Sequence, residues 1–176
     1  MNNLYIVLLL ALSQGGICWD ANVERITAQV VGQWAPLARQ VAIEFDNVDA
    51  DLLLGVIAKE SLGNPTLISA DAHGSVGLMQ ILPNDRRPPV EWLLVPYNNI
   101  ELGARILSQT IDYFDGDVTL GLAAYNCGYE SLKAGRCIEG GGLDYAHNIL
   151  TCWVPILQAH TDIDNFMTSE RDAIGH

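Results

Sequence analysis

The sequence predicts a mostly α-helical domain with a cleft and at most a small irregular hairpin. Three observations predict this. Apolar residues recur at helical spacing in stretch after stretch, residues that start or stop helices stand at the ends of those stretches, and the segments between them are rich in Gly, Ser, Asp and Asn. At 176 residues, 49% hydrophobic and 17% charged, the chain has the length of one domain with short tails and enough apolar content to bury a core.

The elements follow in order. Leu4 to Leu12 is an apolar run closed by Ser13-Gln14-Gly15-Gly16. It is too short to span a bilayer as a helix and suits the centre of a secretory signal. No Lys or Arg precedes it, so a retained apolar helix packing on a partner or on the domain stands beside that reading. The expected division is 1-18 as leader or retained helix, 19-160 as the domain, and 161-176 as an acidic tail.

Val23 to Phe45 reads as helical, with Ile26, Val30, Trp34, Leu37, Val41 and Phe45 near helical spacing and Pro36 marking a break or a fresh start. Asp49 or Asp51 can cap the next helix, in which Leu53, Val56, Ile57 and Glu60 share a face before Gly63 and Pro65 end it. Residues 63-77 read as a loop or small hairpin carrying Ser69. Leu78 to Leu82 begins a short helix that Pro83 interrupts, and Pro88-Pro89 opens another through Val95. Asn98 or Asn99 caps Ile100 to Phe114, and Asp117 caps Val118 to Asn126. A bend at Gly140-Gly141-Gly142 precedes a last helix from Leu143 to about Gln158, buried through Ile149, Trp153, Ile156 and Leu157.

A formal net charge of -12 argues against nucleic acid as a partner, since nothing here neutralises a run of phosphates. Four cysteines, Cys18, Cys127, Cys137 and Cys152, allow three pairings. Cys127 and Cys137 bracket a short polar loop and are the natural local pair, which leaves Cys18 with Cys152; four reduced thiols is the alternative until the compartment is known. No pair has zinc-knuckle spacing and the histidines are scattered, so neither a metal nor a cofactor is expected.

Glu60 is the most informative residue. A carboxylate on the apolar face at a helix C-terminus meets both desolvation and the negative end of the helix dipole, and each disfavours ionisation. Such a group is poised to hold a proton near neutral pH. A capped or salt-bridged glutamate at a frayed helix end is the plainer alternative.

Glu60-Ser61, then Ser69, then Gly77-Leu78-Met79-Gln80, and later Ala123-Ala124-Tyr125-Asn126 resemble, in order and spacing, the three motifs of the lytic transglycosylase family with the goose-lysozyme-like fold. The resemblance spans roughly residues 34-158 and includes the Asn98-Asn99-Ile100 to Gly103 stretch. It implies an α+β, lysozyme-like placement of the helices and cleavage of the MurNAc-GlcNAc β-1,4 bond of peptidoglycan. Glu60 would be the catalytic residue, protonating the bridging oxygen and then taking the proton of the muramic acid C6 hydroxyl, which closes a 1,6-anhydro ring. The same resemblance implies substrate-binding roles. Ser69 would lie near the N-acetyl group, Met79 at the cleft floor, and Gln80 against the sugar. Tyr125 would stand near the acid, Asn126 would bind glycan or fix its loop, and the Tyr145 hydroxyl would reach Glu60. His73-Gly74-Ser75 lengthens the loop after Ser69, and His73 reads as a loop residue.

Two other readings stay open. Asp71 could hold a water and make the enzyme a hydrolytic goose-type lysozyme. Alternatively, the chain is a non-catalytic glycan-binding component of an envelope-spanning or virion assembly, which the intact Glu60 argues against. The expected partners are peptidoglycan glycan strands, with virion or envelope-complex proteins beside them. The expected location is periplasmic or extracellular through a signal peptide, or a phage virion acting at the host wall; the uncharged leader favours the virion.

Overall fold

The amphipathic stretch after residue 22 forms one helix, α1 (Val23–Ala42), in a computed structural model that describes residues 23-70, 74-84, 86-137 and 141-162. Pro36 lies inside α1 without ending it, which corrects the expected break. An interior proline removes one ladder bond and crowds the carbonyl four residues back. Here that carbonyl belongs to Gly32, and burial of Trp34, Ala35 and Ala38 around the proline holds the helix together.

Helix α2 (Ala50–Ser61) starts where Asp49 accepts a hydrogen bond from the Leu52 N–H at 2.8 Å. It stops as Leu62 turns left-handed, with φ 53°, followed by Gly63 at φ 80°. Residues from Leu52 to Ala58 are all buried, so α2 runs through the middle of the molecule, packed by α1 on one side. The Trp34 indole N–H donates to the Gly63 carbonyl at 3.0 Å and ties α1 to the end of α2.

After α3 (Val90–Leu93), helix α4 (Pro96–Tyr113) begins a turn earlier than the Asn98 or Asn99 cap implied. Pro96 takes the first turn because its fixed φ suits that position and its missing N–H has no partner to lose there. Asn99 is thereby carried inside the helix and buried. Asp117 caps α5 (Val118–Cys127) through the Leu120 N–H at 2.9 Å. The stretch read as a polar loop contains a further short helix, α6 (Tyr129–Lys133).

The last apolar stretch is α7 (Gly142–Asn148), a π-helical turn at Ile149–Trp153, and helix again over 154-162. One widened turn shifts an apolar period too little to be read from sequence. It packs against α2 at Gly55, where a Cβ would stand 2.9 Å from Val154 Cγ2.

The fold is helical, as expected. Among the described residues the β content is two isolated antiparallel bridges, Ile68 with Val76 and Val76 with Ile81. Cys127 and Cys137 are disulfide-bonded, closing the segment that holds α6. Cys152 is also disulfide-bonded; Cys18, its expected partner, lies outside the described residues, as do the rest of the leader, Asp71, His73 and residues 163-176. No helix among the described residues is long and apolar enough to cross a membrane.

Candidate active site

Glu60 is the penultimate residue of α2, half-buried, and its Oε1 accepts a hydrogen bond from the Tyr145 hydroxyl at 2.6 Å. Tyr145 comes from α7, which packs along α5. Burial pushes the Glu60 carboxyl above the usual carboxylate range, while the Tyr145 hydrogen bond and the neighbouring Lys59 charge draw it partly back. Burial first, and then the Glu60 charge, push the Tyr145 hydroxyl well above its ordinary value, so it stays protonated and remains a donor.

Facing Glu60 is a tight turn where a short helix was expected over Leu78 to Leu82. Val76 and Ile81 exchange both backbone hydrogen bonds at 2.9 Å, and the chain reverses between them with Gly77 at φ 78° and Gln80 at φ 47°. Side chains from other elements hold this reversal. Asn99 accepts from the Met79 N–H at 2.8 Å and donates to the carbonyls of Val76 at 2.9 Å and Leu93 at 2.8 Å. A Cβ on residue 77 would lie 2.3 Å from Asn99 Nδ2, so the position requires glycine for space as well as for φ. The Ser61 hydroxyl lies 2.9 Å from the Leu78 carbonyl, and the Tyr125 hydroxyl donates to the Met79 carbonyl at 2.8 Å. These contacts replace the helical hydrogen bonds that the local sequence alone would have made.

Gln80 occupies the left-handed region that non-glycine residues seldom adopt. Its Nε2 donates to the carbonyls of Leu67 at 3.1 Å and Gly77 at 2.8 Å, which leaves Oε1 as the amide atom open to a ligand.

A cleft of about 610 Å³ is lined by Glu60, Ser69, Gln80, Tyr125 and Asn126, together with Ser75, Arg87 and Ile106. Five of the seven residues singled out from sequence therefore line one cleft. The other two, Met79 and Tyr145, are buried behind it. Met79 is fully enclosed and packs against Gly103, where a Cβ would stand 2.3 Å from its Sδ, so in this structure it supports the turn from below and presents no surface to a ligand. The Tyr125 hydroxyl is pushed well above its usual range by burial and by the Glu60 charge, and Arg87 counters this in part.

Neither the place of Arg87 in the cleft lining nor the bracing role of Asn99 was legible in the sequence. An asparagine among the apolar residues that begin a buried helix was the available signal for Asn99; for Arg87 there was none. No cluster of potential metal ligands occurs among the described residues.

Curated relatives include the endo-type membrane-bound lytic murein transglycosylase A of Klebsiella pneumoniae, 38% identical over 88 residues that cover 43% of this chain and 42% of that protein. The transglycosylase of Enterobacteria phage PRD1 is 39% identical over 97 residues, covering 54% of this chain and 35% of the phage protein. The chain thus spans less than half the length of these relatives. In structure it is similar to the 70 kDa soluble lytic transglycosylase of Escherichia coli, with a TM-score of 0.61 at 21% identity, over 72% of this chain and 24% of that one. A 70-kDa soluble lytic transglycosylase in complex with bulgecin A matches with a TM-score of 0.58 at 23% identity over 67% of this chain and 23% of that chain. These structural likenesses establish the helical fold. The Transglycosylase SLT domain family matches residues 38–139, more than half of the sequence, and the chain belongs to that family.

Proposed function

We propose that the protein is a peptidoglycan lytic transglycosylase that cuts the MurNAc-GlcNAc β-1,4 bond and leaves 1,6-anhydro-MurNAc ends. The observation that carries this reading is Glu60: a half-buried carboxyl, inclined to keep its proton, on the wall of a cleft otherwise lined by neutral polar and apolar groups and one arginine. A protonated acid is what departure of a sugar oxygen needs. Once Glu60 has given up its proton, the Tyr145 hydroxyl steadies the carboxylate, which then serves as base toward the C6 hydroxyl of the same muramic ring. Ser69, Gln80 and Asn126 supply polar contacts along the strand; Tyr125 and Met79 keep the turn that carries Gln80 in place.

Among the described residues that line the cleft, Glu60 is the sole carboxylate, which favours one group acting twice over a pair that activates water. The murein and phage relatives support a site of action at the cell wall, and the phage relative supports carriage by a virion.

The products test the chemistry. Liquid chromatography with mass spectrometry of digested sacculi should show 1,6-anhydro ends, one water lighter than hydrolytic ends. Mainly reducing ends, with Asp71→Asn slowing cleavage severely, would make the protein a hydrolase instead.

A further inference from the structure

Arg87 stands apart from every other group in the cleft. It is the single cationic side chain among the described lining residues, in a protein whose net charge is -12. One N–H of its guanidinium, on Nη1, donates to the Leu82 carbonyl at 2.9 Å, which fixes the group at the wall and leaves the rest of its donor fork unused. The ion pair found among the described residues is Arg105 with Glu101 on α4, outside the cleft lining; Arg87 pairs with no carboxylate among the described residues. Its charge is felt by the Tyr125 hydroxyl, which lines the same cleft. An arginine so placed is suited to bind a ligand anion.

We propose that Arg87 binds a carboxylate carried by the muramic ring whose glycosidic bond Glu60 helps to cleave, and so makes the enzyme selective for acidic over neutral glycan strands. The inference rests on the glycan-cleaving reading above. The acidic substituent sits on C3 of the sugar whose C1 is cut, so substituent and scissile bond must occupy one cleft, and both Glu60 and Arg87 line it. Arginine meets a carboxylate with two parallel N–H bonds, and such charge-assisted contacts are stronger than neutral ones. Without this group, the protein's own negative charge would repel an acidic polymer. The carboxylate is either the lactyl acid of a peptide-free strand or one on the attached peptide.

The experiment uses three strands of equal length: peptide-free with free lactyl acids, the same strand with those acids converted to amides, and a peptide-bearing strand. Steady-state cleavage and, separately, tryptophan-fluorescence binding are measured for wild type, Arg87→Gln and Arg87→Lys. Wild type should prefer an acidic strand over the amidated one. Arg87→Gln should raise KM and Kd for the acidic strand at least about tenfold, with kcat moved less than KM, and should erase the preference. Arg87→Lys, which keeps charge but loses the fork, should fall between. Preference for the lactyl acid or for the peptide-bearing strand identifies which carboxylate is bound. Equal handling of acidic and amidated strands by wild type, or unchanged KM and Kd in Arg87→Gln, overturns the proposal. If wild type binds strands but cleaves none, the glycan-cleaving reading fails, and the binding series alone decides the role of Arg87.

Discussion

Glu60→Gln removes a transferable proton while disturbing almost nothing else. The amide keeps the size of the side chain, and its oxygen can still accept from the Tyr145 hydroxyl now 2.6 Å from Oε1. A positioned general acid contributes about 10²–10⁴-fold to a rate. No described carboxylate in the cleft lining can replace Glu60, and the proposed reaction uses the residue in both proton transfers, so the loss should reach the upper end. A fall of about 10⁴-fold corresponds to about 5.4 kcal/mol of barrier. Muropeptide release from purified sacculi measures it.

The same variant carries a stability signature. Burial raises the Glu60 pKa in the folded state above its unfolded value, so the folded protein holds that proton more tightly. The stability this contributes is complete below the ordinary carboxylate range and is lost as pH rises through the raised pKa. Glutamine has no such dependence, and other groups titrate alike in both proteins. The melting temperature of Glu60→Gln relative to wild type should therefore climb as pH rises through that window and level off above it. A variant that clears sacculi within about tenfold of wild type would remove Glu60 from the chemistry. A melting difference that moves the other way would show that the carboxyl is not raised by burial.

Tyr145→Phe deletes the hydrogen bond that lowers the Glu60 pKa and leaves the burial that raises it, so the pH above which kcat/KM declines should move upward. A pH–rate profile whose alkaline limb stays put or moves down would contradict the assigned coupling. Gly103→Ala forces a methyl to within 2.3 Å of Met79 Sδ and 2.9 Å of Met79 Cβ, and should cost about 1–3 kcal/mol of stability. Thermal unfolding reads this, and an unchanged melting temperature would show that Met79 repacks without resistance.

Helices α1, α2, α4 and α5 were legible in the sequence because their apolar periods are long and their ends carry local signals: Asp49 before α2, Asp117 before α5, Gly63 after α2. Local chemistry suffices there, since a cap satisfies backbone groups within its own turn. Motif order likewise gathered Glu60, Ser69, Gln80, Tyr125 and Asn126 as candidates that prove to share a cleft. The turn at 77-81 was beyond that reach. Its conformation is fixed by Asn99, Ser61 and Tyr125, which come from three different helices, and apolar Leu78 and Met79 taken alone look like helix. Pro36 misled for a related reason: its local cost is real, but burial of its neighbours across α1 outweighs it. A helical chain with an acid on an apolar face is written in the local order of residues. The motif resemblance also pointed to Tyr145, 85 positions away, as the partner of Glu60; the 2.6 Å contact itself and the place of Arg87 in the same cleft came only with the packed helices. Both outcomes depend on how helices pack, and packing brings together groups whose separation along the chain carries no periodic signal.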